Sequence, residues 1–199
     1  MNALKKDKIV ETFRYSWPFY IVVPAVLIWA LTFFFGVRHR APNYKTLTLF
    51  VSGEVKDNDK LEKDLKEKFA DYDLKEFTCI SSLVTDNNYN SKLSVPGYNT
   101  ADVLIIPTSK LNNIEISAFG LELKDELIAD YYPNYSLFSQ KETNYGIKVD
   151  KAKVQEYMTL PDEDCYFILN AKSVNIGKYS SEEVVEHDMA LQLVKDWGM

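Results

Sequence analysis

The sequence predicts an α/β protein in which one N-terminal transmembrane helix precedes a three-layer α/β domain with a mostly parallel sheet. Two observations support this prediction. Residues 17–37 contain no charged side chain, which is typical of a membrane span. Strand and helix patterns then alternate along the chain, which is typical of a sheet covered by helices. The predicted parts are a cytoplasmic tail at 1–16, a transmembrane helix at 17–37, a linker at 38–45 and an extracytoplasmic α/β domain at 46–199.

The composition is that of an ordinary globular protein. Charged residues make up 26% of the 199 positions, and there are seven glycines, seven prolines and two cysteines. These values exclude a collagen-like chain, a low-complexity disordered chain and a disulfide-dense scaffold. The formal net charge of −6 argues against a nucleic-acid partner, because phosphate binding needs an excess of lysine and arginine.

The uncharged segment at 17–37 is long enough to cross a membrane. As a helix it would extend roughly 30 Å, which is the thickness of a hydrocarbon core. Two alternatives are a buried helix of a soluble protein and the apolar part of a cleaved signal peptide. An all-round apolar surface disfavours the first, and the lack of a small-x-small motif before Arg38 disfavours the second. We therefore expect an uncleaved anchor.

Basic residues on the two sides of this segment predict its orientation. Four precede it and three follow it, which is a slight excess on the N-terminal side. We therefore expect a single-pass protein of the cell membrane, with a cytoplasmic N-terminus and an extracytoplasmic C-terminal domain. The basic residues are Lys5, Lys6, Lys8 and Arg14 before the segment, and Arg38, Arg40 and Lys45 after it.

The predicted domain begins with strands separated by a helix and a loop. Alternating apolar residues indicate the first strand, and an Asp-Asn pair can cap the helix that follows. A continuous apolar run near the middle is typical of a strand buried on both faces of a sheet. The predicted segments are a strand at 46–52, a helix capped by Asp57 or Asn58, a strand centred on 77–80, a polar loop at 86–100 and the buried strand at 103–106.

The remainder of the domain continues the alternation. Apolar side chains at helical spacing predict a helix at 121–132, and short apolar runs predict strands at 145–149 and 165–169. A capping box that begins at Ser180 predicts the start of a last helix. The apolar stripe of that helix is Val185, Met189, Leu193 and Trp197.

The order of several segments resembles a known family. The first lobe of extracellular solute-binding proteins of ABC transporters, of the sugar- and oligosaccharide-binding type, has a similar succession. The matching segments here are TLTLFVSGE, FTCISSLV, NTADVLIIPTSKLNN and FGLELKDEL. The resemblance covers about residues 46–150, is confined to that first lobe, and departs from the family at Ala101, where the family usually has proline.

The resemblance implies one lobe of a periplasmic-binding-protein fold and a binding function without catalysis. A transporter permease or a full-length binding protein would be the partner, and a sugar would be the ligand. Ligands of open α/β sheets bind outside the carboxyl ends of the strands. An empty crevice at that edge is the alternative. The candidate ligand-binding residues are Ser52, Gly53 and Glu54 after the first strand, and Thr108 and Ser109 after the third.

Tyrosines that adjoin asparagines are a second indication of a ligand. Aromatic faces stack on sugars and peptides, and amide groups form hydrogen bonds with them. Ordinary polar loops would give the same pattern. The pairs are Asn88-Tyr89-Asn90, Tyr98-Asn99, Asn134-Tyr135 and Asn144-Tyr145.

The sequence gives no support for catalysis or for a metal or cofactor. The histidines are His39, in the predicted linker, and His187, and no nucleophile elbow, zinc-protease motif or phosphate-binding loop is present. The cluster that starts at Asp57 has Glu62 at its sixth position, where a calcium loop needs glycine. We expect no catalytic residue, no metal ligand and no cofactor.

The two cysteines leave two alternatives open. Cys79 and Cys165 both lie in apolar, strand-like runs. Outside the cytoplasm they could form a disulfide, and two buried free thiols fit the sequence equally well.

The function that the sequence favours is a membrane-anchored, extracytoplasmic module similar to a solute-binding protein, accessory to an ABC transporter or an envelope complex. Its expected partners are the membrane, a permease or full-length binding protein, and a sugar or peptide ligand. The alternative is a structural or assembly protein that binds no small molecule.

Overall fold

The computed structural model describes residues 19–33, 41–181 and 187–199. These residues fall into two units, one within Met1–Arg40 and the other within Ala41–Met199. The boundary lies inside the predicted linker at 38–45, and a 3-10 turn at Asn43–Lys45 already belongs to the second unit.

The prediction of a transmembrane helix at 17–37 was wrong. The first unit contains helix α1, which is described over residues 19–33. At about 1.5 Å per residue this helix is about 22 Å long, whereas a membrane span needs about 20 residues. In the described parts of the chain, no helix is long and apolar enough to cross a membrane. The other residues of the predicted span, and the tail at 1–16, lie outside the described residues.

The second unit is built on a mixed six-stranded sheet in the order β3-β1-β4-β8-β6-β5. β1 is parallel to both of its neighbours, β3 and β4. β8 is antiparallel to β4 and to β6, and β5 is antiparallel to β6. β2 and β7 form a separate antiparallel ladder. The strands are β1 (Thr46–Val51), β2 (Glu54–Val55), β3 (Glu76–Ser81), β4 (Val103–Pro107), β5 (Leu137–Gln140), β6 (Thr143–Lys148), β7 (Met158–Thr159) and β8 (Cys165–Leu169).

The strand directions confirm the predicted α/β class, but the sheet is mixed, with two parallel and three antiparallel pairings, where a mostly parallel sheet was predicted. β3, β1, β4 and β6 run one way, and β8 and β5 run the other way. Pairing is therefore parallel on the β3 side of β4 and antiparallel on the β5 side.

Helices and helical turns lie between the strands. Several are only one turn long, and the stretch before β4 contains three successive helical turns, where the sequence predicted a polar loop with room for one helical turn at 86–100. They are α2 (Asn58–Lys68), a 3-10 turn (Ala70–Tyr72), α3 (Tyr89–Lys92), a π-helical turn (Leu93–Gly97), α4 (Tyr98–Thr100), α5 (Thr108–Leu111), a 3-10 turn (Ile116–Ala118), α6 (Asp125–Tyr131), α7 (Lys151–Val154), a 3-10 segment (Val174–Tyr179) and α8 (Met189–Trp197).

Two helix starts were predicted. The Asp57 carboxylate accepts a hydrogen bond from the Lys60 N–H at 2.9 Å and caps α2, as its position in the sequence predicts. The capping box at Ser180 includes residues within 182–186, which lie outside the described residues. The described part of the last helix begins at Met189.

Strand β4 separates two hydrophobic clusters. Val103 and Ile105 belong to the first cluster, and Leu104 and Ile106 belong to the second, because successive side chains of a strand point to opposite faces. All four are fully buried, which confirms a strand covered on both faces. α2, α6 and α8 contribute to the first cluster, and α3 and α5 contribute to the second.

Asp102, directly before β4, joins three parts of the domain. Its carboxylate accepts hydrogen bonds from the Thr48 N–H at 2.7 Å, the Ser173 hydroxyl at 2.5 Å and the Asn175 amide at 3.2 Å. Its backbone N–H donates to the Thr48 carbonyl, and its carbonyl accepts from the Asn170 N–H. Burial raises the pKa of this carboxyl group, and the three hydrogen bonds to the carboxylate oppose the rise.

Replacing Asp102 with alanine is expected to lower the free energy of unfolding by about 3 kcal/mol, because three buried donors lose their acceptor. Urea unfolding followed by circular dichroism measures this change. Asp59→Ala is the matched control, since it removes the same charge from an exposed position in the first turn of α2. The control should cost less than about 0.5 kcal/mol, and equal losses in both variants would contradict the role given to Asp102.

The raised pKa of Asp102 also predicts a pH dependence. The carboxyl group stabilises the fold most below its ordinary pKa of 3.8, and this contribution is lost as the pH rises through the folded-state pKa. An asparagine at this position does not ionise. The unfolding free energy of the wild type minus that of Asp102→Asn should therefore fall as the pH rises above about 4. An increase with rising pH would mean that the hydrogen bonds outweigh burial.

Candidate functional site

The first three predicted site residues lie at the carboxyl end of β1. Ser52 is fully buried, and its hydroxyl oxygen lies 2.7 Å from the hydroxyl oxygen of Tyr89. A Cβ atom on Gly53 would lie 2.3 Å from the Thr159 carbonyl oxygen, so β7 packs directly against this glycine. Glu54 starts β2, which pairs with β7. This part of the sheet edge is therefore covered by the chain itself.

The other two predicted residues lie at the same edge, at the carboxyl end of β4. The Thr108 N–H and hydroxyl both donate to the Asp164 carbonyl at 2.9 Å. The Ser109 N–H and hydroxyl donate to the Glu163 carboxylate at 2.8 and 2.6 Å. The structure brings the two predicted groups of residues to one edge, but these polar groups already have partners within the protein.

An open cleft of about 620 Å³ lies instead on the face of the sheet that carries the second hydrophobic cluster. It is bounded by the helical stretch before β4 and by the segment after β4. Its volume is in the range of small-molecule sites. We call it the aromatic–lysine cleft, and the residues that line it are Asn90, Leu93, Ser94, Tyr98, Asn99, Lys110, Asn113, Ile114, Glu115, Ala118, Phe119 and Lys172.

A stacked aromatic pair forms part of the cleft wall. The ring centroids of Tyr98 and Phe119 are 3.9 Å apart, and their planes differ by 18°. Phe119 is 7% exposed, whereas Tyr98 is half-buried. Burial raises the pKa of Tyr98 to about 12, so its hydroxyl is neutral and can donate a hydrogen bond at physiological pH.

The end of β8 holds both aromatic residues in place. The Asn170 side-chain amide donates to the carbonyls of Tyr98 at 3.0 Å and Ala101 at 2.9 Å. The Ala171 N–H donates to the Phe119 carbonyl at 2.9 Å. A Cβ atom on Gly120 would lie 2.5 Å from Ile116 Cγ2, so glycine is required for the close turn after Phe119. The backbone at both aromatic residues is therefore fixed by contacts within the protein.

Three asparagine side chains supply hydrogen-bonding groups to the cleft. The Asn99 amide donates to the Ser94 carbonyl at 3.3 Å, and the Asn113 amide donates to the Ser109 carbonyl at 2.6 Å. These bonds orient the two amides, and each uses one N–H of the NH₂ group. Their carbonyl oxygens, together with the side chain of Asn90, remain as groups that a polar ligand can contact.

Two lysines and one glutamate provide the charges of the lining. The Lys110 ammonium lies 5.0 Å from the centroid of the Tyr89 ring, which is a cation–π distance. Lys172 is exposed. Glu115 forms an ion pair with Lys141 at 3.0 Å, and the hydrogen bond from Lys141 holds the pKa of Glu115 below its ordinary value. The lining therefore offers hydrogen bonds, aromatic surface and positive charge.

No protein-family model, curated protein or solved structure matches the chain. The resemblance to solute-binding proteins therefore stays a prediction from the sequence.

Part of the cleft could be found from the asparagine–tyrosine pairs. Asn90, Tyr98 and Asn99 line it. The other pairs have structural contacts: the Tyr135 hydroxyl donates to the Lys195 carbonyl in α8 at 2.7 Å, and Asn144 accepts from the Ser139 hydroxyl at 2.6 Å. The sequence analysis missed three residues that no local pattern marks, namely Lys110, Phe119 and Lys172.

The cysteines are separate thiols in the structure. Cys79 is on β3 and Cys165 is on β8, and β1 and β4 lie between these strands. Three strand spacings are about 14 Å, whereas a disulfide needs Cα atoms within about 7 Å. The disulfide alternative is therefore corrected. Burial raises the pKa of Cys79 to about 12, and burial is also the main cause that raises the pKa of Cys165 to about 11.

Both thiols are expected to resist alkylation in the folded protein. At about pH 8 their raised pKa values lower the thiolate fraction by roughly 100-fold or more, and the thiolate is the reactive form. Iodoacetamide labelling followed by mass spectrometry tests this, with the urea-unfolded chain as the control in which both cysteines should react. Equal labelling of folded and unfolded chains, or a disulfide that a reductant removes, would contradict the prediction.

Proposed function

We propose that the domain within Ala41–Met199 is a non-enzymatic binding module whose ligand occupies the aromatic–lysine cleft. The ligand would be a sugar or a peptide. As in the family that the sequence resembles, the module would act outside the cytoplasm and serve an ABC transporter or an envelope complex. It would present the captured solute to a permease or to a full-length binding protein.

The observation that carries this proposal is the ordered Tyr98–Phe119 pair beside three asparagines. Sugars and peptides combine apolar faces with hydrogen-bonding groups, and a wall of aromatic rings and amides complements both features. Ordering the side chains in advance reduces the entropy that binding must offset. Hydrogen bonds from Asn170 and Ala171 hold the backbone carbonyls of Tyr98 and Phe119, and the two rings stack on each other in the second cluster.

A thermal-shift screen of the full chain with sugars, oligosaccharides and peptides tests the proposal. A ligand at 100 times its Kd stabilises the folded protein by about 2.7 kcal/mol, which raises the melting temperature measurably. If no compound of these classes shifts a well-folded sample, the binding module is contradicted. A structural or assembly protein without a small-molecule ligand then becomes the better explanation.

Replacing Tyr98 with alanine is expected to weaken the binding of a ligand from this screen about tenfold, because one ring of the stacked pair is lost. Isothermal titration calorimetry measures the affinity. Tyr166→Ala is the matched control: Tyr166 also packs on the second cluster, in a pair with Phe138 at 5.2 Å, but it is not among the residues that line the cleft. An equal loss of affinity in the control would place the ligand elsewhere.

A further inference from the structure

We infer that the aromatic–lysine cleft selects an acidic sugar, whose negative group is held by Lys110 and Lys172 and whose ring lies against Tyr98 and Phe119. This inference rests on the proposed function and adds the chemical class of the ligand. The negative group is a carboxylate, as in a uronic acid, or a phosphate, as in a sugar phosphate.

Lys110 is held at the cleft without an acidic partner. It lies in α5, is half-buried and sits over the ring of Tyr89. Tyr89 is itself buried and fixed by its contact with Ser52 at 2.7 Å. A half-buried ammonium that contacts an aromatic face keeps its charge available to a ligand.

Lys172 adds the second positive charge from a different segment. Its backbone N–H donates to Asn170 Oδ1 at 3.0 Å, which fixes the chain where the side chain departs. The preceding residue, Ala171, is hydrogen-bonded to the Phe119 carbonyl. The charge of Lys172 is therefore attached beside the aromatic pair.

The two lysines of the lining belong to the described lysines that no carboxylate pairs, a group that also includes Lys63 and Lys124. The formal net charge is −6, and surface lysines such as Lys148 and Lys178 pair with carboxylates at 2.9 and 2.7 Å. Within the described part of the chain, Lys110 and Lys172 have no ion pair with a carboxylate. The negative charge on the lining is Glu115, which Lys141 already pairs.

The remaining groups of the lining favour a sugar over a bare anion. Aromatic rings contact the apolar C–H face of a sugar ring, and the amides of Asn90, Asn99 and Asn113 suit its hydroxyl groups. A bare anion has no apolar face for the rings and no hydroxyl group for the amide carbonyl oxygens. The two lysines then distinguish an acidic sugar from a neutral one, because an ammonium forms its strongest hydrogen bonds with charged oxygens.

Isothermal titration calorimetry on the full chain tests the inference with four probes: D-glucose, D-glucuronate, D-glucose 6-phosphate and inorganic phosphate. Glucose and glucuronate differ in the negative group alone. We expect the preferred acidic sugar to bind about tenfold or more tightly than glucose and inorganic phosphate. The affinity should fall when NaCl is raised, because salt screens the lysine charges. If glucuronate binds more tightly than glucose 6-phosphate, the preferred negative group is a carboxylate, and if glucose 6-phosphate binds more tightly, it is a phosphate.

A pair of double variants tests the two lysines. Lys110→Gln with Lys172→Gln should weaken the acidic sugar about tenfold or more and weaken glucose much less, because glucose carries no charge. The matched control is Lys63→Gln with Lys124→Gln, which causes the same change in net charge at two exposed lysines outside the cleft lining. Circular dichroism verifies that each variant is folded. If the cleft variant does not fold, the four-probe comparison on the wild type still tests whether the cleft prefers an acidic sugar.

Each outcome supports or overturns the inference. Glucose that binds as tightly as the acidic sugars would overturn the acidic class and leave the proposed binding module intact. Inorganic phosphate that binds as tightly as glucose 6-phosphate would reduce the site to an anion site without sugar recognition. No binding by any probe overturns the inference, and the broader screen then decides the proposed function separately. If both double variants lose the same affinity for the acidic sugar, the effect comes from the overall charge of the protein and not from the two lysines of the cleft.

Discussion

The buried carboxylate of Asp102 is the interaction on which both the sheet and the cleft depend. Its oxygens accept from Thr48, Ser173 and Asn175, and its backbone bonds with Thr48 and Asn170. A buried carboxyl group is costly unless its hydrogen-bonding capacity is used. The start of β4, the edge of β1 and the segment after β8 are therefore constrained together. Because Asn170 also holds the Tyr98 carbonyl, this constraint extends to the wall of the cleft.

The antiparallel position of β8 explains why the cleft is not at the sheet edge where ligands of open parallel sheets bind. β8 pairs with β4 from Val103↔Leu169 to Pro107↔Cys165, so the residues that follow β8 return to the amino end of β4. They meet the helical stretch that precedes β4 and complete the cleft. At the opposite edge, Gly53 packs on β7, and Glu163 and Asp164 occupy the donors of the residues after β4.

The sequence predicts the α/β class and five of the six strands of the main sheet, because their apolar patterns are local, whereas β2, β5 and β7 were not predicted. The four consecutive apolar residues at 103–106 indicate by themselves a strand covered on both faces. The stretch at 86–100 was predicted as a loop with room for a helical turn, because it is polar and rich in asparagine and tyrosine. Tyr89 and Leu93 nevertheless bury one helical face in the second cluster. The apolar segment near the N-terminus suggested a membrane span by its composition, whereas its described helix is too short.

Only part of the cleft could be predicted, because the sequence reveals residues that lie close together along the chain and not those that folding brings together. Asn90, Tyr98 and Asn99 are close in sequence, and their composition indicated a binding surface. Lys110 and Lys172 are far apart in sequence and follow opposite ends of the β4–β8 ladder, and they line one cleft only in the folded domain. That ladder is also the seam between the parallel and antiparallel halves of the sheet. A ligand that contacts both lysines would connect the segment after β4 with the segment after β8. Binding would then oppose local opening of these two strands, and amide hydrogen exchange would become slower along β4 and β8 as well as at the binding surface.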